Sequence, residues 1–349
     1  MKLLAFLKRL GLGRGPALAL VAAGLGLVAL ALMPHPASAE SKTVRIAKQF
    51  GISYLPLTII EKKGLLEAEG KKLGVDLKTE WLQFTGGAPM NEALISGTLD
   101  IVSGGVGPML VIWGKTRTNL GVKGVAALNS MPLYLNTTDA DVKTIKDFSA
   151  KDKIGLPTVK VSIQAVILQM AAEKALGQGK ANALDPLTVS MGHPDAEAAM
   201  MNGKSEVDAH FGAAPFQYDE LKDARVHKVL DSYEVLGGPH VFNVVWTTTR
   251  YHDQNPLVIK ALLAALGDAE ELISSNPADA AAIWIADEHS KMARDEVERI
   301  IKLPENEWTI TPKNVMAFAD FMARTGLLAG KPASWKDVFF SDIHDRPGS

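Results

Sequence analysis

The sequence predicts an α/β protein of two lobes joined by two crossings of the chain. Three observations carry this. Short apolar strands alternate with helical stretches of about ten residues, the pattern of βαβ units and a mainly parallel sheet. One unit occurs twice: Glu92-Ala93, a helix ending at Gly97 and Leu99-Asp100-Ile101 are echoed by Glu197-Ala198, a helix ending at Gly203 and Val207-Asp208-Ala209. After the echo, a strand over 241–247 follows the turn Gly237-Gly238-Pro239 and is read as the chain returning to the first lobe.

In chain order, residues 43–49 alternate in polarity and form the first strand, and 50–56 form its loop, with Ser53 and Tyr54. Residues 57–63 and 65–73 are helical, broken at Gly64, and 75–82 are the second strand. The run from Phe84 to Pro108 then holds a glycine turn (Gly86, Gly87), a short helix, a short strand and a second glycine turn (Gly104, Gly105) that opens an apolar helix over 106–113. In a parallel sheet both turns fall at the carboxyl ends of strands, where open α/β folds bind ligands. Each turn also opens a helix, whose free N–H groups and partial positive charge suit an anionic or polar group. Ordinary tight βα turns also use glycine, so this pattern fits both readings. Residues 121–128 are a further strand.

The second lobe opens near Leu133, with a strand over 153–156. Ser162 is a suitable N-cap for a helix over 163–176 that stops at Gly177. A strand over 187–191, a helix capped by Asp195 and running to Asn202, and a strand over 207–211 complete the unit. Beyond the return strand the chain is helical over 256–274, 277–289, 294–301 and 312–325. The expected organisation is therefore 1–39 a leader, 40–132 the first part of lobe 1, 133–240 lobe 2, and 241–349 the return to lobe 1 with the closing helices. The crossings near 130–133 and 238–241 form a hinge. Trp81, Trp113 and Trp246 are expected in the core, Asp100 and Asp208 in structural turns, and Asp287-Glu288-His289 at a solvated helix end.

Lys2, Lys8, Arg9 and Arg14 precede an uncharged apolar run over 16–33, and Ala37-Ser38-Ala39 is a small-residue cleavage site. This is the pattern of an export signal, with a mature chain starting at Glu40. The run is also long enough to serve as an anchor, but the Pro34-His35-Pro36 break before the cleavage site favours removal. Beyond residue 39 there are 33 basic and 39 acidic residues, a formal charge of −6 with no basic block, which argues against nucleic acid as a partner. The chain has no cysteine, so disulfides and thiolate metal sites are excluded.

Catalytic signatures are absent. There is no Gly-x-Ser-x-Gly elbow and no His-Glu-x-x-His. Gly114-Lys115-Thr116 imitates the end of a phosphate-binding loop, but Met109 stands where its first glycine belongs. The seven histidines after residue 39 are scattered without metal-ligand spacing, and no metal or cofactor is expected.

The pieces together resemble the periplasmic substrate-binding proteins of ABC importers, of the nitrate/sulfonate/taurine type. The residues that carry the resemblance are Tyr54-Leu55-Pro56-Leu57 with Glu61 to Leu66, Ala93-Leu94-Ile95-Ser96-Gly97-Thr98-Leu99-Asp100-Ile101, Lys153-Ile154-Gly155 with Ser162, Asp195 to Asp208-Ala209, and Asn243 to Thr248 with Asn255 to Leu263. The resemblance implies the type II periplasmic-binding-protein fold and a monomer that closes on a small polar, anionic molecule (sulfonate, nitrate or carboxylate) and hands it to a membrane permease. On that pattern the ligand is held by Ser53, Tyr54, Gly86, Gly87, Gly104, Gly105, Val106, Ser130, Val161, Ser162, Phe211 and Gly212. His240 is either a further donor or a hinge residue bonded to backbone. Many relatives carry an acid after the "VDA" strand. Here Gly212-Ala213-Ala214-Pro215 has none, which counts against an ammonium ligand. Two other readings share the cleft: an enzyme similar to those that supply the thiamine pyrimidine, with Lys160 or His240 as its reactive group, and a ligand-binding partner of a membrane sensor.

Overall fold

The computed structural model describes residues 40–349, which form one compact unit. The leader expected over 1–39 lies outside the described residues. No helix among those described is long and apolar enough to cross a membrane.

Two five-stranded sheets organise the chain. The first contains β1 (Thr43–Gln49), β2 (Lys78–Phe84), β3 (Ile101–Gly105), β4 (Lys123–Ala127) and, from much later in the chain, β11 (Asn243–Thr247). The second contains β6 (Tyr134–Thr137), β7 (Ile154–Leu156), β8 (Thr188–Ser190), β9 (Ala209–Phe211) and β10 (His227–Asp231). The orders are β2-β1-β3-β11-β4 and β8-β7-β9-β6-β10. Position by position, parallel and antiparallel neighbours match between the two sheets. The echo in the sequence is thus a repeat of topology.

The expected mainly parallel sheets are in fact mixed. Each has two parallel and two antiparallel pairings, because β6 and β11 each enter directly after a crossing and run against β9 and β3. Neither β6 nor β10 is evident in the sequence: β6 is only four residues long, and β10 buries only Leu230.

The repeat is anchored by the same contact twice. Asp100 stands before β3, where its carboxylate accepts from the Arg45 N–H at 2.9 Å and from the Arg45 guanidinium, while the Arg45 carbonyl accepts from Asp100 N–H at 3.0 Å. Asp208 stands before β9 and makes the same exchange with Lys153 at the head of β7: its carboxylate accepts from Lys153 N–H at 2.9 Å, and Lys153 O accepts from Asp208 N–H at 3.2 Å. The antiparallel neighbour closes each motif. Thr247 Oγ1 donates to Asp100 O at 2.6 Å, and Thr137 Oγ1 donates to Asp208 O at 2.8 Å. A carboxylate that receives backbone N–H groups fixes the start of a strand better than apolar packing can, because its bonds are directional.

Most helix boundaries follow local chemistry. Gly64 at φ 62° separates Leu55–Lys63 from Leu65–Lys72 in a left-handed turn that glycine adopts without strain. Ser162 Oγ accepts from Ala165 N–H and starts Ile163–Leu176. Asp195, expected as a cap, is instead in the first turn of His193–Asn202, with Gly192 at the N-cap. Pro194 fits the first turn without losing a bond, so the helix begins earlier. The last long helix is Val315–Arg324, starting three residues later than Pro312 suggested. Asp287 is not solvated at a free helix end. It pairs with Lys48 and Lys62, and Lys48 is only 4% exposed. Trp246 and Trp113 are core residues, whereas Trp81 is half-buried.

At the hinge, Ser130 and Val241 bridge antiparallel, and Ser130 Oγ donates to His240 O at 2.7 Å. A third segment braces them: β12 (Glu307–Trp308) pairs with β5 (Asn129–Ser130), and Val241 N–H donates to Lys313 O at 2.8 Å. His240 is fully buried, with Nδ1 donating to Val241 O at 2.8 Å and Nε2 accepting from Ser232 Oγ at 2.8 Å. Burial pulls its imidazole down to about 4. That value lies below the unfolded value, so the unfolded chain takes the proton first and stability falls as pH drops from about 6.5 toward 4. Urea unfolding of the wild type and His240→Gln at pH 7 and pH 4 should therefore show the wild type losing about 3 kcal/mol relative to the variant. Equal pH dependence of the two proteins would refute this assignment.

Candidate functional site

The carboxyl ends of the parallel strands in both sheets face the seam between the lobes. Helices start there, and the lobes meet there backbone to backbone. Ile52 N–H in the first lobe donates to Ala214 O in the second at 3.1 Å. A Cβ on Gly86 would stand 2.5 Å from Thr158 Oγ1 and 2.7 Å from Pro157 O, and one on Gly107 would stand 2.7 Å from Val161 O. A Cβ on Gly105 would lie 2.7 Å from the Ile163 side chain. Side chains are excluded at these glycines because the opposite lobe occupies the space.

Within the seam lies a cavity of about 10 Å³, lined by Gln49, Tyr54, Gly87, Gly105, Pro108, Pro157, Ser162, Ile163, Gln164, His193 and Phe242. That is the room of about one water molecule. The amino ends of five helices contribute to its lining, beside Gln49, Pro157 and Phe242. Tyr54 precedes Leu55–Lys63, Gly87 opens Gly87–Ile95, and Gly105 precedes Val106–Thr116. Ser162 caps Ile163–Leu176, and His193 opens His193–Asn202. No carboxylate, ammonium or guanidinium side chain lines it. The field in the cavity is therefore set by helix N–H groups, which favour negative charge.

Of the residues expected at the site, Tyr54, Gly87, Gly105 and Ser162 line this cavity. Gly86 and Val161 lie in the lobe-to-lobe seam beside it. Gly104 packs on the Gln49 amide and Trp246. Val106 has its N–H bonded to Phe242 O at 3.0 Å. Ser53 is buried, with its carbonyl accepting from Asn129 Nδ2 and its hydroxyl unpartnered. Ser130 and His240 belong to the hinge. Phe211 is in the second lobe's core, and Gly212 N–H donates to Tyr134 O at 2.8 Å. Lys160 is exposed with φ 67°.

Gln49, Gln164, His193 and Phe242 were not picked out from the sequence. The repeat holds the missing signal: His193 opens the helix after β8 as Gly87 opens the helix after β2. The scattered histidines also converge. His193 Nδ1 lies 2.8 Å from His210 Nε2, and His210 Nδ1 bonds Glu220 Oε1. Glu220 Oε2 accepts from Asn136 Nδ2 at 2.7 Å. His193 Nε2 faces Gln164 Nε2 at 3.3 Å. Burial first, and then His210, hold the His193 imidazole well below its usual value.

Phe216 stacks on His193, with ring centres 5.7 Å apart, and also lines an interlobe groove of about 480 Å³. Glu197, Asp219 and Lys222 from the second lobe and Trp284, Lys291 and Glu296 from the first face this groove. A Lys222–Glu296 ion pair spans it. Burial, with Glu220 and Asp219 nearby, pushes the Glu197 carboxyl up to about 8.

Residues 61–280 match the model of a family described as NMT1/THI5 like. The chain belongs to the NMT1/THI5-like family. This NMT1/THI5-like chain has the periplasmic-binding-protein fold. The alkanesulfonate-binding protein SsuA from Xanthomonas axonopodis pv. citri, solved with MOPS, superposes with a TM-score of 0.66 at 20% identity, over 86% of this chain and 97% of that one. The aliphatic sulphonate binding protein SsuA from Escherichia coli gives 0.64 at 18% identity, over 88% and 100% of the two chains. The nitrate-binding protein NrtA from Synechocystis PCC 6803 gives 0.66 at 16%, over 88% and 86%. No curated protein matches the chain in sequence.

The seam makes a prediction of its own. Gly86→Ala and Gly107→Ala each place a methyl group against opposing backbone, so the lobes must part. Small-angle scattering should show a larger radius of gyration for both variants than for the wild type, with cooperative unfolding retained. An unchanged radius would show that the seam yields without opening.

Proposed function

We propose that the protein is the solute-binding component of an ABC importer, exported to the periplasm. It captures a small organic anion of the sulfonate, nitrate or carboxylate class between its lobes and delivers it to a membrane permease. The observation that carries this reading is the convergence of five helix starts on one interlobe cavity free of carboxylates. Such a site pays little for desolvating an anion, because the N–H groups are already oriented and need no reorganisation.

The space between the helix starts is smaller than any organic anion, so binding requires the lobes to part and close again around it. The hinge at Ser130 and Val241 is the place where both crossings can bend together. A ligand that bridges the two lobes biases that equilibrium toward closure. The relatives in fold that bind sulfonate and nitrate support the same class of solute.

The enzyme reading needs a reactive lysine or histidine in the cleft. Of the two residues expected for that role, Lys160 is exposed and His240 has both ring nitrogens bonded in the hinge, which leaves His193 as the histidine that lines the cavity. A sensor partner would use the same cleft and differ only in which outer surface meets the membrane protein.

A thermal-shift screen over MOPS, methanesulfonate, nitrate, acetate, benzoate, amino acids and pyrimidines tests the proposal. Ligand at about a hundred times its Kd adds about 2.7 kcal/mol to stability by mass action. One anion class should raise Tm by several degrees, and Ser162→Ala and Gly87→Asp should weaken or abolish the shift. A shift with pyrimidines alone favours the enzyme reading, and no shift with any anion contradicts the proposal.

A further inference from the structure

We propose that Gln164, His193, His210 and Glu220 form a proton relay that switches His193 Nε2 between hydrogen-bond acceptor and donor, so that each anion captured takes up one proton from solvent. The inference rests on the cleft being the anion site and adds to it a rule for when that site is active.

The chain of contacts is continuous and dry. Glu220 and His210 are 0% exposed, Gln164 is 2% and His193 is 6%. Glu220 Oε2 is committed to the Asn136 amide, which leaves Oε1 as the oxygen facing His210. With Glu220 ionised, His210 carries its proton on Nδ1 and donates it to Oε1. His210 Nε2 is then bare and accepts from His193 Nδ1–H. That in turn leaves His193 Nε2 bare, an acceptor for the Gln164 amide N–H and a poor neighbour for an anion.

Adding one proton keeps His193, His210 and Glu220 connected and frees His193 Nε2 from the Gln164 amide. A proton bound at His193 Nε2 makes that atom a donor toward the cavity. His193 Nδ1 releases its proton to His210 Nε2, and His210 holds the charge against Glu220 or passes its Nδ1 proton to Oε1. The Gln164 amide then has no acceptor at Nε2, and its N–H turns with His193 Nε2–H toward the anion. The bookkeeping is one proton in from solvent, none lost, and the buried group moves from a net charge of −1 to 0. A carboxylate behind two imidazoles thus keeps the positive charge away from the apolar walls.

The other groups around His193 do not take over this role. Phe216 covers one ring face, while Tyr54 and Gln49 line the cavity with it. Burial holds the Tyr54 phenol far above its usual value, and it stays neutral. Asp195 and Glu197 lie on the same helix as His193, Asp195 exposed and Glu197 toward the outer groove. No cationic side chain lines the cavity. Burial and then the neighbouring His210 disfavour a charge resting on the His193 ring itself. Passing that charge on toward Glu220, with the incoming anion at Nε2, offsets the penalty.

Nitrogen-15 spectra of histidine-labelled protein read the relay directly, with no variant needed. At pH 8 without anion, His193 and His210 should both carry their proton on Nδ1, the less common tautomer. Their Nε2 signals should change together on protonation. His193 bearing Nε2–H at pH 8, or the two rings titrating at separate midpoints, would overturn the relay. The second arm is calorimetry with methanesulfonate in buffers of different ionisation heat. One proton should be taken up per anion at pH 7, and Kd should be about tenfold lower at pH 6 than at pH 7. Glu220→Gln, which cannot accept the proton, should flatten that dependence. Binding without proton uptake overturns the relay's role and leaves the solute-binding reading standing. No methanesulfonate binding at either pH, with the predicted tautomers present, overturns proton-linked anion capture through the failure of the anion reading itself.

Discussion

Everything in this molecule depends on the strand ends of two sheets facing each other closely enough for backbone to meet backbone. The carboxyl ends of β1, β2 and β3 oppose those of β7, β8 and β9, and helix starts fill the space between. A cleft so built takes much of its polarity from oriented peptide N–H groups, which keep their charge, with His193 the lining side chain whose protonation can change. That is why the glycines at the seam are constrained: a single methyl group on Gly86 or Gly107 would strike the opposite main chain. It is also why both lobes need firm strand starts. The twin Asp100–Arg45 and Asp208–Lys153 contacts hold each sheet at the end away from the seam.

Buried charge is handled differently in the two parts of the cleft. Around the cavity, ionisable side chains are few, and His193 is connected through His210 to Glu220. In the outer groove, carboxylates and ammonium groups face each other, and Glu197 is held largely neutral by burial. Lys48 shows a third solution beneath the first sheet. Its ammonium is desolvated, but it is paired with Glu61 and Asp287 and bonded to Thr58 Oγ1 at 3.0 Å. Removing one partner from such a group is costly, because the other charge is left uncompensated.

Much of the fold was legible because strong local signals agreed with the tertiary structure. Alternation gave β1, Ser162 and Gly177 bounded their helix, and the Glu-Ala to Asp echo gave the repeat. What was not legible depended on pairing across long separations. β6 and β11 enter their sheets antiparallel because of where the crossings come from, and no local pattern encodes that. At the site, glycines marked the first lobe's half well, since a turn next to opposing backbone demands them. Gln164 and His193 were invisible for the opposite reason. Each is an ordinary helix-start residue until the fold places His210 and Glu220 behind it. Ser130 and His240 look like candidate donors in sequence, yet their polar atoms are already used in the hinge.

The central claim is that an anion bound among the helix starts closes the lobes. The chain has no cysteine, so spin labels can be placed at introduced cysteines on Glu92 and Lys160, which are exposed residues of the first and second lobes. The distance distribution between them, measured with and without the anion that gives the largest thermal shift, tests the claim most directly. The account predicts a broad distribution without the anion that narrows to a single short distance when it is bound. An identical distribution in both conditions, with binding confirmed, would contradict it.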